Sequence, residues 1–312
     1  MRRHGLTCDN LLRAELITAD GEMLVADESR HPDLFWALRG GGGNFGVVTR
    51  FHFRLHPVTT VIAGLTLYPV ERAADALRFF RERTDSAPDE LTMLFAFLTA
   101  PRAPFVPGTL QGKPAVAIVC CYSGDSVEGE RAVRPLKEWD RSGVDLVGAM
   151  PYTALQSMLD AGAPSGCMNY WKSAYLDRLT DAAIETITEH ACGMGAPLAQ
   201  VHVYHLGGAV ARVPSDATAF AHRRASFAVN VVGMWTGSSD TERYVAWAKN
   251  FNDALQPHSN GGVYVNFLGN EGEAGVKAAY GEPTYTRLAR VKGRYDPENV
   301  FRLNQNIQPR RD

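Results

Sequence analysis

Four consecutive glycines, Gly40 to Gly43, constrain this 312-residue chain more than any other feature. Ordering such a run costs more backbone entropy than ordering any other tetrapeptide, because glycine loses the most freedom on folding. A folded chain accepts that where the backbone takes unusual dihedrals or lies close to something bulky, such as a cofactor with phosphates or a flat ring system. Before the glycines, Leu34, Phe35, Trp36 and Leu38 read as a short apolar helix. After them come Asn44, Phe45 and Gly46, and then Val47 to Leu55, β-branched and aromatic, which reads as a strand. Gly41, Gly43 and Gly46 match G-x-G-x-x-G. That fingerprint needs a strand before the glycines and a helix after them, so that a pyrophosphate meets a helix N-terminus. Here the order is reversed, which dismisses it and leaves a structural loop or a cofactor-facing loop.

Leu11 to Thr18 and Met23 to Ala26 read as a hairpin closed by Asp20-Gly21, and Asp9-Asn10 before it as a cap or turn. His56-Pro57-Val58 marks a domain boundary, since proline cannot continue a central strand. From Thr59 to about Gln256, strands alternate with amphipathic helices. The strands are Val61–Leu67, Leu91–Leu98, Ala115–Tyr122, Met168–Tyr175, Leu198–Leu206 and Phe227–Trp235. The helices are Glu71–Arg83, Ser126–Trp139, Asp181–Cys192 and Thr241–Leu255. The proline-rich loop Ala100 to Gly112 reads as exposed, and Leu155 to Gly166 as a small-residue connection. The fold class is α+β: a sheet with helices on one face.

A net charge of −2 offers no electrostatic case for nucleic acid or an anionic membrane. No apolar run approaches the roughly 18 residues of a membrane span, and MRRHGLTCDN has no apolar region of a secretory signal. The five cysteines show no CxxC spacing, so neither a zinc site nor a disulfide framework is expected. Reduced thiols in a cytoplasmic protein are the expectation, with no metal.

The stretch PDLFWALRGGGGNFGVV, preceded by CDNLLRAELITADGEML, resembles the berberine bridge enzyme-like FAD-linked oxidoreductases of the vanillyl-alcohol oxidase and p-cresol methylhydroxylase superfamily. A second match comprises Tyr264-Val265-Asn266-Phe267, Tyr280-Gly281, Arg287-Leu288, Lys292, YDPENVF from Tyr295 to Phe301, and NQNIQP. The resemblance implies the C-terminal part of a PCMH-type FAD-binding domain joined to an antiparallel-sheet substrate domain with helices on one face. Residues 1–58 would form the second half of the FAD domain, and 59–258 the substrate domain. Residues 259–312 would be a C-terminal segment returning to pack beside 1–58.

The implied activity is FAD-dependent oxidation of a C–H bond in an alcohol, sugar or secondary metabolite, with oxygen as acceptor. Cofactor contacts carried over are Gly42, Gly43, Asn44, Gly46, Val47 and Val48 from the glycine stretch. Tyr264, Val265 and Asn266 match the first three residues of the family's Y-x-N-Y motif, and Asn304 and Asn306 lie in a stretch that approaches the flavin in relatives. The last tyrosine of that motif is the base in several members; here it is Phe267, which has no proton to lose. Alternate residues of a strand share a face, so Tyr204 with His202, or Asn230 with Ala228, can point into a pocket. Plant members resemble this pair with lysine and glutamine. Tyr204 is therefore the candidate catalytic base, with His202 and His205 behind it, and His202, Asn230 and Phe267 form the candidate substrate pocket. Trp235 reads as core.

The family's pyrophosphate-binding loops, and the histidine and cysteine that attach the ring covalently in many members, find no match here; Cys8 lies well past the attachment position. FAD is then expected to bind non-covalently and weakly, and an apolar packing face to be exposed. Three readings stand: a shortened flavoenzyme, a flavin-less paralogue serving as a binding or interaction module, or an enzyme completed by a separate N-terminal half.

Overall fold

The computed structural model describes residues 1–269, 271–303 and 305–310, and the statements below concern these residues. The hairpin strands β1 (Leu11–Ile17) and β2 (Met23–Ala26) are followed by helix α1 (Pro32–Leu38), which starts on a proline suited to a helix's first turn. After the glycines, β3 (Val47–Phe53) pairs antiparallel with β1, giving a three-stranded sheet in the order β2-β1-β3.

The central region begins with β4 (Thr60–Pro69), α2 (Ala73–Asp85), β5 (Leu91–Thr99), β6 (Pro114–Tyr122) and α3 (Ser126–Glu138). It continues through β7 (Val144–Asp145), β8 (Gly148–Pro151), α4 (Tyr152–Ser157), β9 (Met168–Leu176) and α5 (Asp181–Cys192). It ends with β10 (Gln200–His205), α6 (Ala209–Arg212), β11 (Phe227–Trp235) and α7 (Thr241–Leu255). Its strands form one antiparallel sheet in the order β7-β4-β6-β5-β10-β11-β9, with β8 also on β4. One face carries Phe95, Phe97, Val201, Val203, Val229 and Val231, and packs in a single core with Phe80 of α2, Val133 of α3, Ile187 of α5 and Phe251 of α7. The other face is free of these helices and carries Ser173 of β9, His202 and Tyr204 of β10 and Asn230 of β11.

The chain closes with α8 (Gly272–Tyr280) and α9 (Glu282–Tyr295). Val276, Tyr280, Leu288 and Ile307 share one apolar core with Leu16, Phe35, Trp36 and Phe45, so the two ends of the chain build one unit.

Two sequence expectations change. The connection Leu155 to Gly166 starts inside α4 and carries a 3₁₀ turn at Asp160–Gly162, and β7 and β8 before it, two and four residues long, are too short to display periodicity. The loop 100–112 is only partly exposed. Val106 and Leu110 are buried against Leu67, Ala96 and Ala115, because turns at Ala103 and Pro107 fold the loop back onto β5 and β6. Trp235 is buried, and its indole N–H donates to Thr241 Oγ1. The five cysteines are free. Among the described residues no helix is long and apolar enough to cross a membrane, and no cluster of metal-ligating side chains occurs.

Candidate functional site

The glycine run divides in two. A Cβ on Gly41 would lie 2.6 Å from the Ala37 carbonyl oxygen, so that position serves close packing on α1. Gly42, at φ +70, and Gly43 instead form a wall of an open cleft of about 800 Å³. Asn44 also lines the cleft, but its side chain is committed internally. Its Nδ2 donates to the carbonyls of Gly41 (2.9 Å) and Gln305 (3.1 Å), and its Oδ1 accepts from the Ile307 amide at 3.0 Å.

The wholly buried Lys292 donates to the Asn44 carbonyl (2.8 Å), the Phe301 carbonyl (2.7 Å) and Asp296 Oδ2. Asp296 also accepts from the amides of Val300 (2.7 Å) and Phe301 (2.8 Å). Burial alone would raise the Asp296 carboxyl, but the Lys292 ammonium and these two amides hold it below the usual carboxylate range. The last turn of α9 is thereby fastened to the glycine loop.

Across the cleft run Val265, Asn266, Leu268 and Gly269, with Tyr280 and Gln305 between the walls. Gln305 Nε2 holds the far wall through the Leu268 carbonyl at 3.0 Å. The Tyr280 hydroxyl is buried without a partner, and burial pushes its pKa well up. Asn306 Oδ1 is likewise buried and unpartnered, outside the cleft wall. Gly46 lies against the Ile17 carbonyl, Val47 is exposed on β3, and Val48 packs on the small core; none of the three lines the cleft. Asn304 lies outside the described residues.

The segment from Tyr264 to Leu268, with a 3₁₀ turn at Val265–Phe267, links this cleft to the large sheet. The Tyr264 amide donates to Ser173 Oγ at 3.3 Å on β9, and Asn266 Nδ2 donates to the Tyr264 hydroxyl at 2.8 Å. The Phe267 ring stands 4.9 Å from Tyr264, 5.5 Å from Trp171 and 6.1 Å from Tyr204.

On the sheet face beneath, register places His202 opposite Asn230, and Asn230 opposite Ser173. Tyr204 lies opposite Ala228, which lies opposite Tyr175. Asn230 is 1% exposed, yet neither its Oδ1 nor its Nδ2 has a partner among the described residues. A buried amide left open in this way carries the full desolvation penalty of its polar atoms, which a ligand can relieve. His202 Nε2 is 2.9 Å from Gln200 Oε1, and His202 Nδ1 is 3.4 Å from the Tyr204 hydroxyl. Burial lowers His202 to about 4, and burial together with Tyr264 pushes Tyr204 up to about 12.

His205 does not stand behind Tyr204. Strand alternation sends it to the opposite face, where its Nε2 is 3.0 Å from Arg2 Nη1. Sequence reasoning also missed Lys292–Asp296, the Tyr280 hydroxyl, Ser173 and Gln200. The spacing of Lys292 and Asp296, four apart at a helix end, was the available signal.

The fold matches solved flavoproteins. It superposes on 6-hydroxy-D-nicotine oxidase from Arthrobacter nicotinovorans with a TM-score of 0.83 and 26% identity, over 99% of this chain and 68% of that one. Physcomitrella patens BBE-like 1 matches in fold with a TM-score of 0.84 at 20% identity, over 100% of this chain and 68% of that one. The family model "Berberine and berberine like" matches residues 263–308. The uncharacterized FAD-linked oxidoreductase YgaK of Bacillus subtilis is 30% identical over 320 residues, covering 99% of this chain and 67% of its own length. An FAD-linked oxidoreductase of Dictyostelium discoideum is 28% identical, covering 99% of this chain and 65% of its own. The chain belongs to the berberine bridge enzyme-like FAD-linked oxidoreductase family. It spans about two thirds of the length of these relatives.

The residues present suit a flavin ring. Bare main chain at Gly42 and Gly43, the Asn266 amide and the unpartnered Tyr280 hydroxyl face a cleft within the size range of ligand sites, about 300–1,000 Å³.

Proposed function

We propose that this chain supplies the ring-facing wall and the substrate sheet of an FAD-dependent oxidoreductase acting on a C–H bond of an alcohol, sugar or secondary metabolite, with oxygen as acceptor. Bound FAD would supply the hydride-accepting ring. Gly42, Gly43, Tyr264, Val265 and Asn266 hold that ring non-covalently, and Asn230 and Phe267 position the substrate. Tyr204, backed by His202, takes the proton that Phe267 cannot. A phosphate-binding half, on the same polypeptide or separate, covers the exposed apolar row of β3. The free thiols suit a reducing compartment such as the cytoplasm.

The cleft carries this reading: bare glycine backbone on one wall, Asn266 on the other, and a buried hydroxyl lacking a partner between them. The test is titration of the chain with FAD, followed by removal of excess and a visible spectrum. Alone, the chain should retain little flavin, because the phosphates lack their amide donors. With a phosphate-binding half from a relative, retention should approach one flavin per complex. Gly42→Val, whose side chain would enter the cleft, should then cut it at least about tenfold, or 1.4 kcal/mol. No flavin retained under either condition would favour a second reading, a flavin-less module that binds a small molecule at Asn230. The loss of the motif's tyrosine at Phe267 is what speaks for it.

A further inference from the structure

The polar chain along β10 has a direction that its chemistry dictates. Gln200 Nε2 donates to the Gly162 carbonyl at 2.8 Å, in the turn Asp160–Gly162 that follows α4. A carbonyl oxygen only accepts, so the Gln200 nitrogen must occupy that end and its Oε1 must face His202. Oε1 also only accepts, so the ring nitrogen 2.9 Å from it, Nε2, must carry a hydrogen. In the reverse tautomer two acceptors would face one another.

We infer that Gln200 is a positioning residue: anchored by Gly162, it fixes His202 as the Nε2–H tautomer and leaves Nδ1 bare to receive the Tyr204 proton. Burial keeps the free imidazole neutral, consistent with one bare nitrogen. The Tyr204 hydrogen then points at Nδ1, 3.4 Å away, and its oxygen lone pairs are left for a substrate hydroxyl. In oxidation of a substrate alcohol, whose hydride bound FAD would accept, the O–H proton would pass to Tyr204 Oη. The Tyr204 O–H bond breaks as an N–H bond forms at His202 Nδ1, and the resulting imidazolium keeps its Nε2–H on Gln200. Tyr204 thus never has to hold a full phenolate charge, and the His202 imidazolium, which burial also disfavours, holds the proton only in transit. The step rests on the oxidoreductase reading above; the tautomer does not.

The first test needs no activity. Histidine-selective ¹⁵N labelling of the chain, with His202 assigned by the loss of its signal in H202Q, reads both ring nitrogens near neutral pH. The expected wild-type pattern is protonated Nε2 and bare Nδ1. Q200L should give a mixture of tautomers. A wild-type Nδ1–H form, or a Q200L spectrum identical to wild type, overturns the assignment, and the wild-type spectrum decides even if a variant fails to fold. In the flavin-loaded complex, Y204F should lower kcat about 100-fold with KM little changed. Full turnover in Y204F overturns the relay, and the tautomer measurement judges Gln200 separately.

Discussion

The two sheets of this molecule solve the same problem by different means. In the large sheet all nine residues of β11 are buried, and four helices seal one face with a continuous apolar core. In the small sheet β3 is mostly exposed: Val47, Phe51 and Phe53 are 57%, 54% and 38% accessible, and the two phenylalanine rings stack 5.7 Å apart. There the glycine loop is pinned by directed polar bonds from Asn44 and Lys292. An apolar core tolerates small shifts, whereas a hydrogen-bonded staple fixes one geometry and fails sharply when a member is lost. An exposed apolar row of this kind is characteristic of interaction surfaces.

The contrast can be broken by removing each kind of support. Lys292→Met should leave Asp296 as an uncompensated buried charge and destabilise the small unit by about 3–5 kcal/mol. Amide exchange at Phe45 and Ile307 should accelerate while Val203 and Val229 stay protected. Equal acceleration everywhere would show that the two regions open together. Phe95→Ala should cost a similar amount, about 3–5 kcal/mol, with the pattern reversed.

Acid should separate the regions next. His202 and His205 have folded pKa values of about 4 and about 3, below the unfolded value of about 6.5. The unfolded chain therefore takes up protons first, and stability of the large sheet declines as pH falls from about 6.5 towards 3. Asp296 is also held low, so its contribution is full above the usual carboxylate range and is lost as pH falls from that range through its folded value. A pH titration followed by NMR at β10 and at the glycine loop should show two windows; one shared window would merge the regions. The smallest effect is expected from Phe51→Ser, within about 0.5 kcal/mol by urea denaturation of the chain, since that ring is half exposed. The same change should weaken pairing with a phosphate-binding half.

The sequence revealed what is periodic or punctuated. The apolar stripe from Thr241 to Leu255 emerged as α7, and alternation placed His202 and Tyr204 on one face, which the register of β10 against β11 shows Asn230 to share. It could not show that Gly40 serves packing against Phe220, since that depends on chain 180 residues away. Nor could it show that Asn44 turns its amide inward to Gln305 and Ile307. His205 was misplaced because three neighbouring polar rings were treated as one group, although adjacent strand residues point apart.

The Lys292 staple also bears on when the molecule can acquire its function. The loop at 42–44 is locked by groups that emerge from the ribosome about 250 residues later, so this wall of the cleft is among the last features a growing chain can complete. The central sheet has no such dependence and can condense while the tail is still being made. Premature termination between Leu255 and Lys292 would therefore spare the central sheet and its helices and delete the lock. Conversely, the middle of the chain can drift in sequence to suit new substrates without disturbing a clasp made entirely from the two ends.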